Sequence, residues 1–253
     1  MRSLFSSQAP EIVPTVEPVP TIFPKIEGAD IAAVFAGKRV AGDFYDSVRV
    51  SPERVLFGML DVAGVREDTR NILSAAQEIF RKVGCELFSR TDVNESDAMS
   101  DLCLRINRGL IDAAAGVRSC PAFIACYHEK FGTLCYSNGG HTPGLVRDST
   151  GVTQLPSTGL PLGLFSHTTC EAPTIGLEKG ASLLLVSRGL VECEARRGKT
   201  EFGLERIADF LKSAPHDGAR DLCVSTLDAV AKFAAGAPLC DDRTALALVR
   251  SAS

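Results

Sequence analysis

The 253-residue chain has no long run of apolar residues and no block of basic residues. Its purely apolar stretches are a few residues each, far shorter than the roughly 20 that a membrane-spanning helix needs, so we expect no membrane partner. A net charge of −4 without a basic patch argues against nucleic acid as a partner. The N-terminal stretch MRSLFSSQAP lacks the apolar segment of a secretion signal, which favours a cytoplasmic location.

The nine cysteines include no pair at the C-x-x-C spacing of a zinc or redox site. Most lie within apolar segments, such as Cys126 in AFIACYHE and Cys223 in DLCVSTL. This placement predicts buried, reduced thiols, as is usual in the cytosol. No sequence feature supports a catalytic cysteine.

Proline is concentrated at the N-terminus, where it recurs every few residues. The prolines concerned are Pro10, Pro14, Pro18, Pro20 and Pro24. This spacing favours an extended chain and is incompatible with a helix. We therefore predict that residues 1–25 form an extended leader and that residues 26–253 form one domain.

The remaining pattern predicts strands, then two helices, then strands, two helices and a last strand. The predicted strands are 29–37, 43–50, 54–62, 122–129, 132–140, 142–148, 151–156, 168–177, 180–187 and 241–250. The predicted helices are 68–88, 95–113, 201–214 and 217–235. Because most strands follow one another at hairpin distance, we expect antiparallel sheets and an α+β fold with the helices segregated from the strands. A tight turn is expected at 187–189.

Aspartates gather at the ends of these predicted strands. They are Asp43, Asp46, Asp61, Asp241 and Asp242. Several carboxylates at one rim of a sheet suit hard divalent cations, and two such ions can activate water against a phosphoryl group. A single Asp in such a place more often caps a turn, but the adjacent pair Asp241 and Asp242 is harder to explain in that way.

Six motifs in the same order resemble the SpoIIE-like branch of the metal-dependent (PPM) serine/threonine protein phosphatases. They are VAGDFYD (40–46), GMLDVAG (58–64), YSNGGHTPGLV (136–146), LPSTGLPLGLF (155–165), EFGLERI (201–207) and DDRTALAL (241–248). The resemblance covers residues 24–250. It implies a four-layer α-β-β-α sandwich of two mostly antiparallel sheets flanked by helices. It also implies removal of phosphate from serine or threonine of a regulatory protein, such as an anti-sigma-factor antagonist. A homodimer is an alternative to a monomer, since the family often dimerises.

The resemblance also implies a metal site that uses two Mn²⁺ or Mg²⁺ ions. Asp61 corresponds to the acid that bridges both ions, and Asp43 to an acid that acts mainly through water; these two are the implied catalytic residues. The backbone carbonyl of Val62 and the carboxylate of Asp241 correspond to further ligands. Asp242 lies beside them as a supporting residue.

Arg188 stands in the stretch LLLVSRGLVE where the family has a further metal-binding aspartate. Arginine has no lone pair for a cation and keeps its charge in proteins. It could pair with Asp61 and Asp241 in place of the metal, turn outward, or bind the substrate phosphate. Three departures in the neighbouring motifs, Ala41, Val65 and Arg66, also point to a weakened metal site.

Two further motif residues have structural interpretations. His141 is better explained as a turn histidine held by its backbone than as a metal ligand. Thr244 is expected to bond the acid-bearing loop.

Two functions therefore remain open at the sequence level. One is a metal-dependent serine/threonine phosphatase. The other is a pseudophosphatase that binds a phosphoprotein without hydrolysing it, as Arg188 suggests.

Overall fold

A computed structural model describes residues 18–37, 42–62, 64, 66–196, 200–214, 218–237 and 241–252 of the chain. The first 17 residues of the predicted leader lie outside this range, as do Ala41, Ala63, Val65 and Cys240, and the side chain of Arg66 is likewise not described. No helix in the described ranges is long and apolar enough to cross a bilayer.

The described residues form ten strands and five helices, in the predicted order except for the additional short helix α3. The strands are β1 (Ala29–Ala36), β2 (Asp43–Ser51), β3 (Arg54–Asp61), β4 (Ala122–His128), β5 (Thr133–Gly139), β6 (Gly144–Asp148), β7 (Gly151–Leu155), β8 (Thr174–Gly176), β9 (Ser182–Val186) and β10 (Arg243–Arg250). The helices are α1 (Arg66–Phe88), α2 (Glu95–Ala113), α3 (Arg188–Val191), α4 (Leu204–Ser213) and α5 (Ala219–Ala234).

The strands form two five-stranded sheets, and every strand pairing within them is antiparallel. One sheet has the order β1-β10-β9-β6-β7 and the other β2-β3-β4-β5-β8. Helices α1 and α2 cover the β2 sheet, and α4 and α5 cover the β1 sheet. The predicted α+β fold and the four-layer α-β-β-α sandwich are confirmed.

Strand β3 shows how the sequence builds these layers. Its side chains alternate between two apolar clusters: Leu56 and Leu60 face α1 and α2, while Val55, Phe57 and Met59 face the opposite sheet. Successive strand residues point to opposite faces, so a strand buried on both faces is apolar almost throughout. Its two ends, where it leaves the core, carry charged residues.

Helix α2 begins where its sequence predicts. The side chain of Asn94 accepts hydrogen bonds from the backbone N–H groups of Ser96 and Asp97, so Asn94 caps the first turn. Its apolar residues at helical spacing from Met99 to Leu110 form a buried stripe. The helix bounds at 95 and 113 match the prediction.

Two local predictions were wrong. The predicted strand 168–177 is a strand only at Thr174–Gly176. The hydroxyls of Ser96 and Ser100 on α2 bond the carbonyls of Ala172 and Cys170, both at 2.7 Å, so these backbone groups pair with a helix instead of a sheet. The predicted turn at 187–189 instead starts the short helix α3, in which the Glu192 N–H donates to the Arg188 carbonyl at 2.9 Å.

The described end of the predicted leader lies on β2 and α1. Val19 exchanges two hydrogen bonds with the side-chain amide of Gln77, at 2.7 and 2.8 Å. The Thr21 hydroxyl donates to the Tyr45 carbonyl at 2.8 Å, and Phe23 stacks on the Tyr45 ring. This segment therefore runs extended over the body of the domain.

Candidate active site

Asp43 and Asp61 face each other across the β2–β3 ladder, where β2 begins and β3 ends. The Val62 N–H donates to the Gly42 carbonyl at 3.2 Å and continues the contact beyond the strands. A Cβ on Gly42 would lie 1.9 Å from the Val62 carbonyl oxygen, so only glycine allows this approach. The G-D sequence at 42–43 thus serves to bring Asp43 against the end of β3.

Asp43 is bound from the other sheet by β10 and the end of β9. The Thr244 hydroxyl donates to Asp43 Oδ2 at 2.8 Å, as expected of a residue that bonds the acid-bearing loops. The pKa of Asp43 is raised to about 7: burial is the main cause, hydrogen bonds from Ser187 and Thr244 oppose the rise, and the charges of Asp61 and Asp241 add to it. Without a cation beside it, Asp43 is therefore about half protonated at neutral pH.

Asp241 and Asp242 precede β10. The Asp242 N–H donates to Asp241 Oδ1 at 2.8 Å, and Asp242 itself is buried. A Cβ on Gly189 would lie 2.0 Å from the Asp242 carbonyl oxygen. Gly189 therefore lets α3 pack directly on the backbone of the Asp241–Asp242 segment, and this contact brings Arg188 to the acids.

Arg188 lies between the carboxylates that the sequence analysis singled out. Its Nε is 3.9 Å from Asp61 Oδ2, its Nη2 is 3.6 Å from Asp241 Oδ2, and its Nε is 3.8 Å from Glu192 Oε2. The Arg188 side chain is 58 % exposed, against 15 % for Asp61 and 31 % for Asp241. These are long ion pairs rather than hydrogen bonds, so the guanidinium offsets charge without being clamped.

The charge on Arg188 acts on Asp61. Burial raises the pKa of Asp61, Arg188 lowers it, and Asp241 and Glu192 raise it. The guanidinium therefore acts on Asp61 with the same sign as a bound cation would, with a smaller charge. Sequence analysis missed Glu192, because its spacing of four from Arg188 matters only if the segment is helical.

The side chains as they stand do not fit a two-metal site. Across the described ranges, no group of three or more His, Cys, Asp or Glu side chains is arranged to hold a metal ion. A guanidinium that donates toward Asp61 and Asp241 competes with a cation for the same oxygens. The oxygen donors themselves, Asp61, Asp241 and the Val62 carbonyl, are of the kind that Mn²⁺ or Mg²⁺ prefers.

A cavity of about 320 Å³ opens beside Arg188. Its polar lining consists of Asp61, His141, Thr142, Arg188 and Glu192. The His141 N–H donates to Asn138 Oδ1 at 2.8 Å and its Nδ1 lies 3.1 Å from the Thr142 carbonyl, so the histidine is held in its turn as expected. Burial lowers the pKa of His141 to about 4, which keeps the ring neutral at physiological pH.

Comparison with known proteins places this geometry in a family. A sequence profile described as Stage II sporulation protein E (SpoIIE) matches residues 51–251. The phosphoserine phosphatase RsbU of Bacillus subtilis (strain 168) is 27% identical over 185 residues, which are 72% of this chain and 52% of that protein. Protein IcfG of Synechocystis sp. is 23% identical over 214 residues, 76% of this chain and 33% of that protein. The chain thus spans about half and a third of these two relatives.

Solved structures share the fold. The RsbU and RsbW domains of a Mycobacterium tuberculosis protein superpose with a TM-score of 0.73 at 22% identity, covering 91% of this chain and 62% of that one. The SiaA-PP2C domain of Pseudomonas aeruginosa gives 0.71 at 17% identity, covering 87% and 85%. RsbX, solved in complex with magnesium, gives 0.63 at 15% identity, covering 90% and 98%. The chain therefore belongs to the SpoIIE family of metal-dependent, PP2C-type serine/threonine phosphatases.

Proposed function

We propose that this chain recognises a phosphorylated regulatory protein at the Asp61–Arg188 rim but hydrolyses its phosphoserine or phosphothreonine poorly or not at all. The observation that carries the proposal is the position of Arg188, within 4 Å of both Asp61 and Asp241. The positive charge of Arg188 thus lies beside the carboxylates that, by the family resemblance, would bind the metal ions.

The size of the electrostatic effect supports impairment rather than a minor change. A unit charge at 4 Å from a divalent ion is repelled by roughly 2 kcal/mol in water and roughly 8 kcal/mol at the effective dielectric constant of a protein surface. The exposed guanidinium lies nearer the lower value, and loss of one carboxylate ligand adds to it. Weakened ion binding follows even if Arg188 turns outward.

A second candidate function, full phosphatase activity with Mn²⁺ or Mg²⁺, rests on a different observation. Asp43, Asp61 and the Val62 carbonyl keep a close backbone arrangement that Gly42 makes possible. The Arg188 side chain is also exposed and not clamped, so a cation could displace it.

The test compares wild type with Arg188→Asp and Arg188→Gln. Turnover of a phosphoserine peptide is measured with excess Mn²⁺, together with the melting temperature with and without Mn²⁺. We expect background turnover in the wild type, measurable turnover in Arg188→Asp, and a rise in melting temperature with Mn²⁺ only in Arg188→Asp, since a ligand that binds the folded state stabilises it. Arg188→Gln is the matched control, because it removes the charge without adding a ligand.

Wild-type turnover that falls in Arg188→Asp would overturn the proposal and support the second candidate. Recognition is tested separately, by calorimetry of the wild type with the phosphorylated peptide and its unphosphorylated form. Equal affinity for both peptides would contradict phosphoprotein recognition.

The partner that we propose is a phosphorylated regulator of the anti-sigma-factor antagonist type, met in the cytoplasm. This rests on the similarity to a phosphoserine phosphatase. The chain covers only 52% of that relative. The partner is therefore to be tested by pull-down, and the assembly, including a homodimer, by sedimentation of the protein.

A further inference from the structure

Arg243, the first residue of β10, has a buried guanidinium with unusual surroundings. The residue is 8 % exposed, and its Nε has no hydrogen-bond partner. In the described part of the chain it also forms no ion pair with a carboxylate. A buried charge without a counter-charge destabilises the folded state. A nearby group that can become an anion would therefore stabilise Arg243.

That group is the thiol of Cys193, in the loop that follows α3. Arg243 Nη2 donates to Cys193 Sγ at 3.1 Å, in a contact that is buried. The loop is held in place because the Phe202 N–H donates to the Cys193 carbonyl at 2.7 Å. The two residues lie on separate elements, 50 positions apart in the chain, so the fold brings this cation and this sulfur together.

Both residues line a cavity of about 600 Å³, which Asp241 also lines. The other charged residues of its lining are Glu192, Glu194, Arg196, Glu201 and Asp241. Glu192, Glu194, Arg196 and Glu201 are exposed, so water screens their charges, whereas Arg243 touches the sulfur in a buried place. Arg243 thus places a cation in direct, buried contact with the sulfur, an arrangement that favours the anionic form of a cysteine.

We propose that Cys193 and Arg243 form a thiolate–guanidinium pair and that Cys193 is a site of covalent modification by small electrophiles such as peroxides. The thiolate is the reactive form of cysteine, and a neighbouring arginine increases its population. Attack on hydrogen peroxide forms the S–O bond, breaks the O–O bond and releases hydroxide, which takes up a proton to give water. The sulfur is oxidised by two electrons to sulfenic acid, and the peroxide is reduced.

This inference does not depend on the proposed function. Its place in the fold nevertheless ties it to the acid rim, because Thr244, next to Arg243, bonds Asp43.

The test is the rate of carbamidomethylation by iodoacetamide at pH 6.5, mapped to each cysteine by mass spectrometry. All proteins compared carry Cys240→Ser, since Cys240 lies outside the described residues. We expect Cys193 to react before Cys85, whose half-buried thiol has a pKa raised by burial. We also expect Arg243→Gln to slow the labelling of Cys193 about tenfold, which is modest beside the shifts in thiol pKa that cationic neighbours cause. The labelling rate of Cys85 should stay the same.

Arg243→Lys is the matched control, because it keeps the charge and is expected to keep most of the Cys193 rate. Labelling of the fully buried Cys126 reports unfolding. If Arg243→Gln unfolds, the proposal is decided by whether Cys193 reacts before Cys85 in the wild type. Hydrogen peroxide with dimedone should then give an adduct at Cys193. Faster labelling of Cys85, or equal Cys193 rates in folded wild type and Arg243→Gln, would overturn the proposal.

Discussion

Strand β3 carries an arginine–carboxylate pair at each of its two ends, and the two pairs differ in kind. At its start, Arg54 is 7 % exposed and donates from Nε to Glu95 Oε1 at 2.6 Å. Its other nitrogens bond the carbonyls of Arg90 and Thr91, at 3.2 and 3.4 Å. At its end, Asp61 meets Arg188, which is 58 % exposed and approaches no closer than 3.9 Å.

The difference separates a structural arginine from an exchangeable one. Arg54 links β3 to the first residue of α2, where the Glu95 carboxylate also suits the helix N-terminus. Each of its three nitrogens bonds a fixed acceptor, one of them the carboxylate at 2.6 Å. Arg188 contributes charge to a rim of acids but no fixed hydrogen bond to them, so the fold does not depend on it.

The largest expected effect is on stability at the Arg54 end. Arg54→Met should lower the free energy of unfolding by about 3–5 kcal/mol, because it leaves the Glu95 carboxylate half-buried without its partner. Urea unfolding measures the change. The matched control is the same substitution at the other end, Arg188→Met, and equal losses in the two variants would erase the distinction between the two pairs.

The next effect tests whether the protein around Asp61 and Arg188 is closed to water, although Arg188 itself is exposed. His141 is buried there with its pKa lowered to about 4, from an ordinary 6.5. Between these values the unfolded chain takes up a proton that the folded chain refuses, so stability is lost as the pH falls, by up to about 3 kcal/mol.

Urea unfolding of wild type and His141→Gln between pH 7 and pH 4 checks this. The variant should lose less stability over that interval than the wild type. The exposed His167→Gln serves as control and should follow the wild type. Parallel curves for His141→Gln and wild type would show that His141 titrates freely and that the rim is open.

The smallest expected effect is on stability at the Arg188 end. Arg188→Met should change the free energy of unfolding by less than about 1 kcal/mol, as for other exposed ion pairs, and added salt should reduce the difference further. Unfolding in low and high salt measures it. A larger, salt-insensitive loss would make Arg188 a structural residue like Arg54.

Much of the fold follows from local patterns in the chain. The periodic apolar residues of α2 predict its bounds, and the nearly continuous apolar run of β3 suits a strand buried on both faces. The wrong prediction of a long strand at 168–177 has a tertiary cause. The segment 168–173 has the composition of a strand, yet its carbonyls bond serines of α2, a contact that no local pattern reveals.

The sequence alone determined the order of most strands and helices, the family motifs and the presence of an arginine at position 188 among them. Those features are local, since residue type, spacing and periodicity specify them. Only the tertiary structure decided what Arg188 touches, that Glu192 joins it, and that Arg243 reaches Cys193. These contacts depend on how distant segments pack, and close backbone approaches such as that of Gly189 to Asp242 set their distances.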